Sequence, residues 1–153
     1  MTRIGIISDT HGLLRDEAVK ELAGSDLILH AGDVGDPSIV EQLSRLAPVR
    51  AVRGNVDSDA WSRFPGSDLI DVEGVGLYLY HGHEQLDIDP AAAGIGAVIS
   101  GHTHRPRIEE RGGVLYVNPG SAGPRRFDLP VSVALLHLAG ERLEAELVEL
   151  NVK

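Results

Sequence analysis

Cysteine is absent from the 153 residues, and with it go disulfides, thiolate nucleophiles and zinc sites built on sulfur. Aromatic residues make up 4% of the chain. Trp61, Phe64, Phe127 and the tyrosines therefore offer little platform for stacking single-stranded bases. Basic residues are outnumbered, 14 Lys and Arg against 23 Asp and Glu, for a formal charge of -9; this argues against long nucleic acid as a partner. No apolar run approaches the ~20 residues that span a bilayer, the longest being residues 131–138. The chain enters Ile4-Gly5-Ile6-Ile7 without the ordered basic region, apolar stretch and cleavage site of a secretory signal, so the cytoplasm is the expected compartment. Linkers and internal repeats are missing too, and residues 1–153, 42% hydrophobic, read as one domain.

What is present first is an alternation. Residues 3–8 read as a buried strand, followed by a helical stripe of Leu14, Ala18, Val19 and Leu22 that Gly24 closes. Residues 27–29 form a second strand, and Asp36-Pro37 supplies a cap and a first-turn proline for a helix carrying Ile39, Val40, Leu43 and Leu46, with Pro48 as its stop. A third strand runs over 49–53, so the front of the chain predicts a mainly parallel sheet. Residues 68–72 and 76–80, joined by Glu73-Gly74-Val75, predict an antiparallel hairpin. Residues 97–100, 108–110, 114–117, 131–138 and 143–150 supply a second sheet, while 57–66 and 91–96 fit helix or loop equally.

Five of the apolar runs are followed by Asp, Asn or His: Asp9-Thr10-His11, Gly32-Asp33, Gly54-Asn55, His81-Gly82-His83 and Gly101-His102-Thr103-His104. In open α/β sheets ligands gather beyond the carboxyl ends of the strands, so five distant segments can converge there. Oxygen and imidazole donors without sulfur suit manganese, iron, zinc, nickel or cobalt. Bound cations would also reverse the local field and admit a phosphate despite the overall charge.

In this order the five blocks resemble the signature of the calcineurin-like metallophosphoesterases. The short length, His30-Ala31-Gly32-Asp33, Arg53-Gly54-Asn55-Val56-Asp57 and Asn118-Pro119-Gly120-Ser121 are similar to the minimal YfcE-like phosphodiesterase branch. The resemblance implies an α/β (α+β) fold, a four-layer α-β-β-α sandwich of two mixed sheets flanked by helices. It also implies two divalent ions per chain, manganese first among the candidates. Asp9, His11 and His104 would hold one, Asn55, His81 and His102 the other, and Asp33 would bridge them. Asp33, Asn55 and His81 then form the catalytic group. Two cations ~3.5–4 Å apart clamp phosphate oxygens and acidify a shared water, so the expected reaction is in-line attack of a metal-bound hydroxide on a small or nucleotide-derived phosphodiester. Many relatives carry His after the Asn of the third block; Val56 stands there, which removes a candidate acid and favours activated aryl diesters.

Other residues have plainer readings. His137 is expected in the core, and Asp36 as a helix cap. His30, His83 and Asp57 are candidates for support behind the ligands, His83 evenly against simple exposure and Asp57 leaning to a structural role. Arg125, Arg126 and Arg105 are candidates for substrate contact through phosphate oxygens, and Arg53 also lies beside a motif loop. Asn118 and Gly120 are expected at the site rim or in a turn. Competing functions are a phosphomonoesterase with the same ions and a non-catalytic metal-binding scaffold, as in the retromer subunit that resembles the family. Open sheet edges would permit a homo-oligomer.

Overall fold

The computed structural model describes residues 1–57 and 63–152. Strand β1 (Thr2–Ile7), helix α1 (Asp16–Leu22), β2 (Leu27–His30), α2 (Pro37–Leu43) and β3 (Val49–Ala51) come first. They are followed by β4 (Ser67–Val72), β5 (Val75–Tyr80), β6 (Ile95–Ile99), β7 (Arg107–Arg111), β8 (Val114–Asn118), β9 (Ser132–Ala139) and β10 (Arg142–Glu149). Two five-stranded sheets result, in the orders β10-β9-β1-β2-β3 and β4-β5-β6-β8-β7. Both are mixed. In the first, β1, β2 and β3 are parallel, β9 pairs antiparallel with β1, and β10 pairs antiparallel with β9; in the second, β5, β6 and β8 are parallel, with β4 and β7 antiparallel at the edges.

Side-chain alternation packs the sheets face to face. Ile4 and Ile6 of β1 enter a core shared with Leu77, Leu79, Ile99 and Val117 of the second sheet. Ile7 turns to the opposite face and meets Ala18 and Leu22 of α1 and Ile39 and Leu43 of α2. Gly5 also lies on that face, where a Cβ would come within 2.7 Å of Leu22 Cδ2. Asp36 caps α2 as expected, its Oδ1 accepting from the Ser38 N–H at 2.9 Å with Pro37 behind it. Leu43 ends that helix before Pro48 is reached, and the next residues form a turn.

The outer face of the second sheet carries Tyr78, Tyr80, Val98, Val114 and Tyr116. Among the described residues its cover is the loop 81–94 rather than a helix, with Ile88 packed against the patch. The ambiguous stretch 91–96 becomes a turn leading into β6. Of 57–66, residues 58–62, including Trp61, lie outside the described residues, and 63–66 form no helix or strand. His137 departs from its expected core position: it is partly exposed on β9, its Nε2 3.5 Å from Glu146 Oε1 on β10. An imidazole keeps this polar neighbour and contact with water more cheaply than it would enter an apolar core. No helix among the described residues is long and apolar enough to cross a membrane.

This topology sends five parallel strands, β1, β2, β3, β5 and β6, toward one end of the sandwich, and each motif block follows one of them.

Candidate metal centre

The loops beyond those strands are tied by backbone hydrogen bonds. Asp9 N–H donates to Gly32 C=O at 3.0 Å, His11 N–H to Asp33 C=O at 2.9 Å, and Gly101 N–H to His81 C=O at 2.9 Å. Five of the seven non-glycine residues with positive φ among the described residues are Asp9, His11, Asp33, His102 and His104. Asp and His tolerate the left-handed region better than most side chains, and such concentration marks a functional loop cluster. The glycines of the motifs yield space. A Cβ on Gly54 would collide with Asp33 Oδ1, and one on Gly101 with Ser8 Oγ and, at 2.6 Å, Asp9 Oδ2.

All seven expected ligands converge. His104, His11 and His81 bring Nε2 to 3.4, 3.8 and 3.9 Å from Asp9 Oδ1. Asp33 Oδ2 lies between two imidazoles, 3.3 Å from His81 Nε2 and 3.6 Å from His11 Nε2. Asn55 Oδ1 is 3.0 Å from His81 Nε2 and 3.3 Å from His102 Nδ1. Two sets, Asp9/His11/His104 and Asp9/Asp33/His81, have ligand atoms within 4.8 Å of one another.

Each carboxylate commits one oxygen to the protein and leaves the other facing the cluster. Asp9 Oδ2 accepts from the Ser8 hydroxyl at 2.7 Å and the His102 N–H at 3.0 Å, whereas its buried Oδ1 has no hydrogen-bond partner among the described residues. Asp33 Oδ1 accepts from the Val56 N–H at 2.9 Å. His81 Nδ1 lies 2.8 Å from Ala31 C=O, which only accepts, so Nδ1 carries a proton and Nε2 faces the cluster. The buried His11 Nε2 likewise has no hydrogen-bond partner among the described residues. Ligand bonds of ~2.0–2.2 Å place neighbouring donor atoms about 3–3.5 Å apart, and several of the spacings fall near that range. The buried acceptors without donors fit cations at their centre.

The electrostatics agree. Burial alone would raise Asp9, but the His104 and His11 rings, the Ser8 hydroxyl and the His81 charge hold it well below the usual carboxylate range. Burial likewise opposes ionisation of Asp33, and His81 with the Val56 N–H overcomes it, so its value is lowered. His81 moves the other way. Burial would lower it, yet Asp33 and Asp9 raise it above the ordinary histidine value. His102 is lowered by burial and by the His81 charge.

The supporting candidates separate. His30 is wholly buried: Nδ1 accepts from the Gly32 N–H at 3.1 Å, so its proton sits on Nε2 and is donated to Thr10 Oγ1 at 3.0 Å. Thr10 Oγ1 passes its own proton to Val34 C=O at 2.8 Å. Asp57 is buried and accepts three backbone N–H groups, from Gly54 at 2.9 Å, Gly35 at 3.0 Å and Val34 at 3.2 Å, which joins the second and third blocks. His83 stands at the exposed rim, its ring 5.3 Å from His81 and 6.1 Å from His102. Arg125 and Arg126 are exposed on the 124–128 loop, and Arg105 is exposed beside His104. Asn118 anchors the fifth block by donating to Gly101 C=O at 3.0 Å and Thr103 Oγ1 at 3.1 Å. Ser8 has no signal in the sequence, and Ser121, named there only as part of the Asn118-Pro119-Gly120-Ser121 motif, donates through Oγ to Asp9 C=O at 3.0 Å across 112 positions, a contact no local pattern announces.

With this geometry stands a likeness to known proteins. Residues 2–141 match the calcineurin-like phosphoesterase superfamily domain, and the chain belongs to that family of metal-dependent phosphoester hydrolases. A probable metallophosphoesterase of Methanothermobacter thermautotrophicus is 38% identical over 157 residues, covering 95% of this chain and 91% of the relative. Phosphodiesterase YfcE of Escherichia coli is 32% identical, covering 89% of this chain and 88% of YfcE. Vps29 of Entamoeba histolytica, solved in complex with Zn2+, superposes with a TM-score of 0.79 at 21% identity, over 98% of this chain and 100% of that one; this likeness is of fold alone.

Proposed function

We propose that the protein is a two-metal phosphodiesterase acting on a small or nucleotide-derived diester, with manganese the preferred ion and iron, zinc, nickel or cobalt as substitutes. The observation that carries this reading is the pair of ligand sets, in which the buried Asp9 Oδ1 and His11 Nε2 have no hydrogen-bond partner among the described residues. Asp9, His11 and His104 would hold one ion and Asn55, His81 and His102 the other, and Asp33, whose Oδ2 is close to both His11 and His81, would serve both. When bound, the pair supplies Lewis acidity toward phosphate oxygens and a water made acidic near neutral pH.

The chain's own residues position and restrain. Ser8 and the His102 N–H lock Asp9, the Val56 N–H locks Asp33, and Ala31 fixes the His81 tautomer. Ser8 is spent on the Asp9 carboxylate, which disfavours it as a nucleophile and supports direct transfer to water. Val56 is half exposed at the position where many members of the family carry His, and an apolar side chain there cannot protonate the leaving group. The name of YfcE, a phosphodiesterase over nearly the whole shared length, supports the diester preference.

Hydrolysis of aryl phosphodiesters by chelator-stripped protein, with and without manganese and beside Asp33→Asn, tests the reading. Turnover should need metal, fall at least a hundredfold in Asp33→Asn, and decline steeply as the leaving-group pKa rises. A matched aryl monoester cleaved faster would favour a phosphomonoesterase. Metal binding without turnover on either ester would leave a scaffold.

A further inference from the structure

A cavity of about 760 Å³ lies on the outer face of the second sheet, beside the cluster of candidate ligands, none of which lines it. Its volume is that of a site for a ligand the size of a nucleotide. Gly82, Gly101, Thr103 and Asn118 form one wall, so the loops that carry His81, His102 and His104 also bound the cavity. The opposite side is the edge strand β7, whose alternation puts Arg107, Glu109 and Arg111 along the lining, with Arg105 at the end nearer the cluster. Tyr80 and Tyr116 supply aromatic surface, and Leu86 and Ile88 of the covering loop close over it.

Two features of this lining stand against the composition of the whole chain. Two of the three tyrosines, Tyr80 and Tyr116, line the cavity, and the third, Tyr78, packs beside them on the same sheet face. In a protein of net charge -9, three arginines meet only Glu109 and Asp89 in the lining, a local excess of positive charge. Glu109 engages Arg107 and lies 3.7 Å from Arg111 Nε. Arg111 lies over the Tyr116 ring at 4.1 Å, a flat cationic platform of the kind on which planar rings stack. The guanidinium of Arg105 makes no hydrogen bond or ion pair among the described residues.

We propose that this cavity binds the nucleotide half of the substrate, a planar aromatic ring carrying a phosphate, with the ring on the Tyr116–Arg111 platform and the anion toward Arg105. The assignment rests on the phosphodiesterase reading and narrows it to diesters with a nucleoside monophosphate on one side of the scissile bond. Arg105 follows His104 directly, and Gly101 and Thr103 of the same loop line the cavity with it, which puts its phosphate end toward the cluster.

The test is titration of chelator-stripped wild-type protein with adenosine monophosphate by calorimetry. Without metal the cluster lacks the cations that would draw a phosphate to it, so binding reports on the cavity. One-site binding is expected, weakened at least fivefold by Arg105→Ala and by Arg111→Ala and further by Arg105→Glu. Adenosine and inorganic phosphate should each bind at least tenfold more weakly than the nucleotide. Absence of saturable binding to wild type, or equal affinity in all three variants, overturns the proposal. Manganese-loaded wild type is assayed in parallel on methyl 4-nitrophenyl phosphate, which has no nucleoside. Cleavage of that ester without nucleotide binding sinks the cavity assignment alone. Nucleotide binding with no cleavage of it or of thymidine 5′-(4-nitrophenyl phosphate) keeps the cavity as a nucleotide site and sinks the hydrolase reading.

Discussion

His30 shows how a single buried side chain sets the geometry of loops it does not belong to. Its ring takes the Gly32 N–H on one nitrogen and gives a proton to Thr10 on the other, so only the neutral form satisfies both contacts. Burial lowers its value to about 4 against the upward pull of Asp9, Asp57 and Asp33, with His81 adding to the lowering. The unfolded chain binds that proton below its ordinary 6.5 while the folded chain does not. Stability from this residue is therefore complete above pH 6.5 and lost as pH falls toward 4, a change on the order of 3 kcal/mol for a shift of this size. His102, also lowered, slopes the same way, whereas His81, raised, contributes below 6.5 and loses that contribution as pH rises through its folded value. Urea unfolding of metal-free protein between pH 4 and 7 should show the acid-side slope, and His30→Gln should flatten it. An unchanged slope in that variant would assign it elsewhere.

At the scale of elements, the hairpin of β4 and β5 carries a local conflict. Glu73 and Gly74 both have positive φ, 53° and 87°, the signature of a two-residue turn that matches strand twist, and Asp71 Oδ1 accepts from the Gly74 N–H at 2.8 Å. Glycine suits its place; glutamate does not. Glu73→Asn should stabilise the protein by ~0.5–1 kcal/mol, read as a melting-temperature gain of about 1–4 °C. A loss would show that the Glu73 side chain contributes something the turn geometry does not reveal. The hairpin itself was legible from two apolar runs around a glycine, as were the strand–helix alternation and the placement of the five blocks at strand ends. Strand β7 was read as only three residues because Arg107 to Arg111 is nearly all charged, and an exposed edge strand lacks the apolar alternation that reveals buried ones. The arginine-lined cavity it borders was illegible for the same reason. Asp57, read as leaning structural, proved to bind three N–H groups from two blocks, a contact set by tertiary approach rather than by neighbours in sequence.

For the molecule as a whole, the site and the fold depend on each other. Donor atoms from five loops on two sheets meet only when the sheets are packed face to face, so an unfolded chain cannot offer the same set. Cations that bind this set add their binding free energy to folding. They also relieve the repulsion between Asp9 and Asp33, which the metal-free protein offsets through the raised His81. At a free manganese concentration 100 times the dissociation constant, one site contributes about 2.7 kcal/mol, which for a chain of this size is a melting-temperature rise of roughly 5–11 °C. Because the cation competes with the proton on His81, the rise should be greater at pH 8 than at pH 6. Scanning calorimetry of stripped and manganese-loaded protein at both values measures it, and the same difference in Asp33→Asn cancels any change in baseline stability. The variant should retain less than half of the wild-type rise. A melting temperature indifferent to manganese, or an undiminished rise in Asp33→Asn, would remove Asp33 from the centre and with it the two-metal reading.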